Sequence, residues 1–323
     1  MLVNLIVLVV LLALAVLFGW VVTRAWRSSH RILRWPIMLV TGLLTLLFAF
    51  VFVVGSLGLV RANAAQSNPV SDVKVAGTPE QIARGQKLAI ICEGCHSSTG
   101  QLPLDGSTES FAGPLGNLYP PNLTPAGEVK NWSDGEIIRA IREGVHKSGR
   151  PLYVMPSENF HNLSDDDVQS LVAYLRSQQP VPHVPQTDTP SNGMGILGLL
   201  VVGLGGFPSS AQPPITQPVT APAAGTAEYG QYLVNVIGCR SCHGANLGGG
   251  QASPFGGPPV GPNLTVLIPK WSEADFVKTI RTGTDPYGHT LNDQMPWKQI
   301  SAFSTDEDLH ALYLYLHGLT PVQ

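Results

Sequence analysis

Charged residues are scarce in this 323-residue sequence: they make up 13% of it, about half of what a soluble globular chain usually carries. This scarcity argues against a purely cytosolic globular protein. Positive charge is not in excess either, because the formal net charge is −3, and this argues against a nucleic-acid-binding protein. The sequence has only four cysteines, which are too few for a scaffold held together by disulfides.

Acidic residues are absent from the first 61 residues, which instead contain five arginines and two long apolar runs. The runs span 2–22 and 36–60, and each is long enough to cross about 30 Å of hydrocarbon as a helix. Residues 1–61 are therefore predicted to form a transmembrane helical hairpin. The loop between the two runs contains four of the arginines, which are Arg24, Arg27, Arg31 and Arg34.

The distribution of charge predicts how this hairpin is oriented. Short basic loops stay on the cytoplasmic side, so residues 61–323 are expected on the outer, periplasmic side of a bacterial cytoplasmic membrane. A cleaved signal peptide at 1–22 is the alternative, but this segment lacks a basic start and a small-residue cleavage site, and its apolar run is too long. All 22 acidic residues follow residue 61, and this favours a basic partner on that side.

All four cysteines belong to two Cys-x-x-Cys-His motifs. The motifs are formed by Cys92, Cys95 and His96, and by Cys239, Cys242 and His243. Two thiols at this spacing on one helical turn can both add to the vinyl groups of one heme, and the following histidine then becomes an axial ligand of the iron. A zinc site would need two further ligands beside each pair, and a thioredoxin-like pair would not require the histidine. The sequence therefore predicts two covalently attached hemes c, with His96 and His243 as iron ligands.

The two motifs lie within an internal repeat whose segments keep the same order in both halves. The matched segments are 83–88 with 228–233, 111–114 with 255–258, 121–124 with 262–265, 131–133 with 270–272, 141–144 with 280–283, and 155–156 with 295–296. This order predicts a tandem duplication with one heme-binding domain at 62–180 and another at 226–323. Capping boxes that begin at Thr78 and Ser133, together with Ser164 and Thr305 before acidic residues, predict that both domains are all-α.

The opposite side of each iron needs a second axial ligand or stays open. Met155 and Met295 occupy equivalent positions of the repeat, each is followed by proline, and a thioether ligand raises the heme potential. We predict them as the second ligands, with gap-filling core methionines as the alternative. His146 and His289 are rival ligands, but the glycines around them place Asp285, and not His289, opposite His146.

Other polar residues at matched repeat positions are candidates for contacts with the heme propionates, because buried carboxylates need hydrogen-bonding partners. The candidates are Asn122, Trp132, Arg142, Asn263, Trp271 and Arg281. The alternative is that the tryptophans are core residues and the arginines are exposed.

A proline-rich linker at 181–225 joins the two domains and is predicted to be an extended spacer. It contains an unusually apolar segment at 193–207, which is too short to span a bilayer. We hypothesise that this segment packs on a partner subunit or dips into the membrane interface. Burial between the two heme domains is the alternative.

With these motifs the sequence resembles the class I cytochrome c family over residues 78–180 and 226–321. Both halves contain the heme motif, the later Met-Pro pair and a terminal helix with Tyr-Leu. The runs 121–125, 131–134 and 138–144 are similar to multiheme cytochrome c subunits of membrane-bound alcohol and aldehyde dehydrogenases. The resemblance implies an all-α fold, a two-helix transmembrane hairpin followed by two tandem class I cytochrome c domains, with low-spin hemes held by the two motifs and by Met155 and Met295.

These features predict an electron carrier without catalytic residues of its own. It is expected to be a diheme subunit of a respiratory or photosynthetic electron-transfer complex, with other subunits and a soluble or membrane redox protein as partners. A cytochrome c subunit of a membrane-bound alcohol or aldehyde dehydrogenase is the alternative. A diheme peroxidase is a third candidate, and it would require one iron with an open coordination position.

Overall fold

The computed structural model describes residues 2–29, 31–182, 193–250 and 260–322, and almost all of its regular structure is helical. The all-α prediction is confirmed. Two parts of the sequence discussed above, residues 183–192 of the linker and 255–258 of the repeat, lie outside the described residues.

The chain begins with two long apolar helices, α1 (Leu2–Trp26) and α2 (Arg31–Asn63), which pack side by side. Both extend beyond the apolar runs from which they were predicted. Phe18 stacks on Phe48 between them, with ring centroids 5.6 Å apart. Both helices are long and apolar enough to cross a membrane. Large apolar side chains cover the outside of the pair, as expected of helices that face lipid.

The first heme motif lies in a unit of short helices. They are α3 (Pro79–Ala89), α4 (Glu93–His96), α5 (Asp134–Glu143), α6 (Ser157–Phe160) and α7 (Asp165–Ser177), with 3-10 turns at Ile90–Cys92, Gly113–Leu115 and Glu128–Asn131. A two-residue strand, β1 (Gly116–Asn117), pairs antiparallel with β2 (Gly193–Met194) from the linker.

The apolar part of the linker differs from the predicted extended spacer, because residues 196–203 form a helix, α8 (Ile196–Gly203). This helix packs on α2. The contact is close because two glycines lie in it: a Cβ added to Gly58 would lie 1.8 Å from the Leu199 carbonyl oxygen, and one added to Gly203 would lie 2.2 Å from that of Val54.

The second heme motif lies in a unit that repeats the first. Its helices are α9 (Ala227–Ile237), α10 (Cys239–His243), α11 (Leu264–Leu267), α12 (Glu273–Thr282), α13 (Trp297–Phe303) and α14 (Asp306–His317), with a 3-10 turn at Ile268–Lys270. In each unit the first and last helices cross, α3 on α7 and α9 on α14. Gly85 and Gly230 lie at these crossings, where an added Cβ would be 1.8 Å and 2.0 Å from the carbonyl oxygens of Ser170 and Ala311.

Side-chain caps set the start of the main helices. Thr78 and Ser133 form the two capping boxes predicted from the sequence. In each, the cap hydroxyl accepts from the backbone N–H of the third helical residue, and the side chain of that residue accepts from the backbone N–H of the cap. In the second unit Ser272, which matches Ser133, forms a capping box at α12, and Thr305 forms one at α14. Helix bounds are therefore encoded locally in both units.

The two units pack on each other in a reciprocal manner. Helix α6 of the first unit contacts α9 of the second, and α13 of the second contacts α3 of the first. In the repeat α6 matches α13 and α3 matches α9. The two contacts are therefore equivalent, and they relate the two units by an approximate twofold symmetry. Arg84 and Tyr229, which occupy equivalent repeat positions, meet across it, with Nη2 of Arg84 donating to the Tyr229 hydroxyl at 3.2 Å.

An ionic cluster holds this interface. The buried carboxylate of Asp167 accepts two hydrogen bonds from Arg84, at 2.8 and 3.0 Å, and one from the Tyr232 hydroxyl at 2.6 Å. Tyr229 and Tyr232 stack beside it with ring centroids 5.7 Å apart. Because one carboxylate accepts three hydrogen bonds from donors in both units, it stabilises the contact between them.

Candidate heme sites

The first heme motif is wound so that its histidine is buried. The 3-10 turn Ile90–Cys92 continues directly into α4, and His96 at the end of α4 is 8% exposed. The Nδ1 of His96 donates to the Pro121 carbonyl oxygen at 3.0 Å. A histidine that ligates a metal usually donates its other ring nitrogen in this way, so Nε2 is the nitrogen available to iron. Burial lowers the pKa of His96 and favours the neutral ring that ligation requires.

The second motif has the same arrangement on α10. The Nδ1 of His243 donates to the Pro262 carbonyl oxygen at 2.9 Å, and burial again lowers the pKa of the ring. Gly261 packs against this ring, since an added Cβ would lie 2.5 Å from Nδ1. The two predicted ligands therefore have the same orientation relative to the prolines of the repeated Pro-Asn-Leu-Thr segment.

The four cysteine sulfurs are not paired with one another as disulfides. Burial raises the pKa of the Cys92 thiol, and likewise that of Cys239, to about 12. An uncharged thioether to a heme vinyl group is compatible with such buried positions. The described residues contain no group of three or more His, Cys, Asp or Glu side chains that could hold a metal ion.

Met155 and Met295 lie at equivalent turns in the two units. Each is half-buried beside the apolar core, and the proline after it directly precedes a short helix. The two prolines have nearly the same backbone angles, φ −80° and ψ 57° for Pro156 and φ −79° and ψ 50° for Pro296. Val154, directly before Met155, has a φ of 70°, which is unusual for a β-branched residue and typical of functional loops.

The rival histidines are engaged elsewhere. Both ring nitrogens of His146 are hydrogen bonded, Nε2 with Glu128 at 2.8 Å and Nδ1 with the Ser148 hydroxyl at 2.8 Å. The side chain of His289 is 78% exposed and pairs with Asp285. The turn that carries His146 matches the turn that carries Asp285, as the repeat predicts, because each closes with equivalent backbone bonds.

Two of the candidates for propionate contacts have buried donors that lack an acceptor among the described residues. Trp271 is 7% exposed, and its Nε1 has no acceptor among the residues that the structure describes. Arg142 is 4% exposed; its Nη1 donates to Asp165 at 2.6 Å, while its Nε and Nη2 have no partner within the same residues. Each such donor costs about 1–3 kcal/mol when buried without an acceptor. A heme propionate is one kind of acceptor that would remove this cost, and the propionate contacts of Arg142 and Trp271 stay a prediction.

The other propionate candidates have different contacts. The amide of Asn122 donates to the Val181 carbonyl at 3.3 Å, and that of Asn263 donates to the Val322 carbonyl at 2.7 Å. Each asparagine therefore holds the segment that follows the last helix of its own unit. Arg281 donates to the Ser301 carbonyl at 2.6 Å and to Asp306 at 2.7 Å. The ring of Trp132 is half-buried and meets His146 edge-on.

Sequence reasoning missed several residues of these sites. The carbonyls of Pro121 and Pro262 orient the histidines, and the hydroxyls of Thr124 and Thr265 accept from the backbone of Val181 and Val322. The repeated Pro-Asn-Leu-Thr segment was the signal that could have identified all four. Its repetition shows that the position matters, but only the structure shows which atoms are used.

Comparisons with known proteins agree with this geometry. The family model for cytochrome c matches residues 82–179, and the family model for cytochrome c oxidase, cbb3-type, subunit III matches residues 222–316. The chain belongs to the cytochrome c family and carries two of its domains in tandem. Cytochrome c domains of this family hold covalently bound heme c.

Several curated relatives are cytochrome subunits of dehydrogenases. The chain is 28% identical to the cytochrome c subunit of alcohol dehydrogenase (quinone) from Gluconobacter oxydans (strain 621H), over 75% of this chain and 55% of the relative. It is 27% identical to the fructose dehydrogenase cytochrome subunit of Gluconobacter japonicus, over 80% of this chain and 56% of the relative. The gluconate 2-dehydrogenase cytochrome c subunit of Pantoea cypripedii is 27% identical over 74% of this chain and 59% of the relative. The chain thus spans somewhat more than half the length of these relatives.

Proposed function

We propose that this chain is a membrane-anchored diheme c-type cytochrome that transfers electrons as a subunit of a membrane-bound dehydrogenase or a related respiratory complex. The observation that carries the proposal is the duplicated site. In each unit a buried histidine donates Nδ1 to a proline carbonyl, and a Met-Pro turn recurs at the equivalent position. Heme c, when bound, supplies reversible one-electron chemistry at its iron.

The residues of each site support electron transfer rather than substrate chemistry. A methionine available to each iron would complete its coordination and leave no open position, and an open position is what peroxidase chemistry requires. The candidate rival ligand His146 has both ring nitrogens hydrogen bonded within the protein. These contacts support the carrier over the diheme peroxidase.

The membrane anchor is the pair α1 and α2, and the basic loop between them supports an orientation with both cytochrome units on the periplasmic side. All acidic residues of the chain lie after this anchor, so its exposed units favour a basic redox partner by electrostatic steering.

The relatives support the dehydrogenase partnership. Their names describe cytochrome subunits that serve alcohol, fructose and gluconate dehydrogenases, and the similarity covers most of this chain. We infer that a separate catalytic subunit oxidises a substrate and that this chain receives the electrons. A respiratory or photosynthetic complex without a dehydrogenase remains the second candidate, supported by the match to an oxidase subunit family.

Purification of the full-length protein in mild detergent tests this proposal. We expect the intact mass to include two hemes, a redox titration to show two one-electron steps, and a dehydrogenase subunit to co-purify. A mass without two hemes, or a high-spin ferric spectrum with peroxide turnover, would contradict the electron-carrier function. Co-purification with an oxidase or a reaction centre instead would contradict only the dehydrogenase partnership.

A further inference from the structure

Helix α8 has no polar side chain on any face. Its buried side, which includes Leu199 and Val202, packs towards α2, whereas Leu197 is 46% exposed and Leu204, directly after the helix, is 66% exposed. The whole segment 193–207 lacks a charged residue. A helix that is apolar on all sides is normally covered on all sides, so the outer face of α8 lacks its natural surroundings in water.

The position of α8 on the hairpin indicates what covers this face. Gly58 and Gly203 bring α8 into close contact with the last turns of α2, and Arg61 donates to the carbonyls of Val202 and Gly203 at 3.2 and 2.8 Å. At its other end, Asn4 near the start of α1 donates to the Met194 carbonyl at 2.7 Å. Asn4, Gly58 and Arg61 all lie at the end of the hairpin opposite the basic loop.

The apolar surface of the hairpin continues next to α8. Val53 and Val60 of α2 are 59% and 66% exposed and would face lipid in a membrane-spanning helix. Helix α8 lies against α2 at Val54, Gly55 and Gly58, so its outer face extends this surface near the end of α2. Arg61 marks the upper limit of the apolar zone, where a long basic side chain can reach the interface.

The same segment is tied to the first heme unit. The backbone N–H of Gly195 donates to the Leu115 carbonyl at 2.9 Å, and β2 pairs with β1. Phe207 packs on Tyr153, two residues before Met155, with ring centroids 5.7 Å apart. The Met155 turn and the loop around Leu115 are therefore held directly above α8.

We propose that α8 is a third membrane-embedded segment, inserted into the outer leaflet with lipid acyl chains covering Leu197 and Leu204, and that it seats the first heme unit on the bilayer surface. The inference rests on the proposed anchor function of α1 and α2. Continuity with the apolar surface of α2, and the absence of charge over 193–207, favour lipid over a protein subunit as the occupant.

Site-directed spin labelling of the full protein in lipid vesicles tests the proposal. Single cysteines are introduced as Leu197→Cys and Leu204→Cys, and collisions of the nitroxide with oxygen, which concentrates in lipid, are compared with collisions with a water-soluble nickel chelate. Leu46→Cys, at a position 68% exposed in the middle of α2, is the lipid control, and Tyr287→Cys, at a position 62% exposed in the second unit, is the water control. Each variant must retain two hemes before it is labelled.

We expect the labels at 197 and 204 to collide several-fold more with oxygen than with nickel, as at 46 and opposite to 287. Preferential nickel collisions at 197 and 204, with a normal lipid signal at 46, would overturn the inference. That result would leave the proposed anchor function of α1 and α2 unaffected. Low collision with both reagents would also overturn it, because it would show that protein covers α8. A water signal at 46 would instead contradict the proposed anchor.

Discussion

Arg142 and Arg281 show how equivalent residues of a repeat acquire different roles. Both donate to the aspartate that begins the last helix of their unit, Asp165 or Asp306. The side chain of Arg142 is 5% exposed and that of Arg281 is 31% exposed. The linker explains the difference, because residues 210–219 run across the first unit, where Gln212 and Val219 hydrogen bond with Glu143 and Asp165. The buried Nε and Nη2 of Arg142 have no partner among the described residues, so the predicted propionate contact would satisfy them.

At the residue scale, the methionine ligands can be tested by substitution with leucine, which retains the volume of the side chain but cannot bind iron. We expect Met155→Leu and Met295→Leu each to lower the potential of one heme by on the order of 0.1 V, since axial ligands set heme potentials over about 0.8 V. A redox titration of each variant measures the shift.

Met194 provides the matched control, because it lies in β2 and is outside both sites. Met194→Leu is expected to leave both potentials unchanged. If Met155→Leu and Met295→Leu lowered only the thermal stability and left the potentials in place, both methionines would be core residues and the predicted ligation would be wrong.

Among the elements, the crossing of the first and last helices is the feature on which each unit depends. At the second crossing, Gly230 allows α9 to approach α14 so closely that an added Cβ would lie 2.0 Å from the Ala311 carbonyl oxygen. Alanine in place of glycine would favour the helix by about 1 kcal/mol. Overpacking costs about 1–3 kcal/mol and more when backbone must move, so the clash outweighs the gain.

We therefore expect Gly230→Ala to lower the free energy of unfolding of the second unit, as measured by thermal denaturation in detergent. Gln231→Ala is the control, since Gln231 is the next residue of the same helix and is exposed. Equal stability of the two variants would show that the helices can separate at no cost and would refute the close-packing argument.

On the scale of the whole molecule, the contact between the two cytochrome units depends on the cluster around Asp167. Tyr232→Phe would remove the 2.6 Å hydrogen bond to this carboxylate and retain the ring stacked on Tyr229. Hydrogen bonds to charged groups contribute about 1.5–3 kcal/mol, so we expect a loss of this size. Because the bond joins two units, we expect calorimetry to show one unfolding transition for the two units of the unchanged protein and two transitions for the variant.

Tyr313→Phe is the control for this experiment. Its hydroxyl donates to the neutral Trp271 carbonyl at 3.1 Å within the second unit, so the expected loss is smaller, about 0.5–1.5 kcal/mol, with no separation of transitions. A Tyr232→Phe variant that unfolds like Tyr313→Phe would show that apolar packing, and not the Asp167 cluster, holds the units together.

The amino-acid sequence by itself determined the features that depend on short spacings: the two Cys-x-x-Cys-His motifs, the repeated Met-Pro turns, the capping boxes at Thr78 and Ser133, and two apolar helices. The chemistry of these features requires only neighbouring residues. The tertiary structure decided which proline carbonyls orient the histidines, why Arg142 is buried, and that the linker segment forms α8 against the hairpin. Arg84 and Tyr229, which meet between the two cytochrome units, are 145 residues apart. Contacts over such separations arise from packing between whole elements, and no local pattern encodes them.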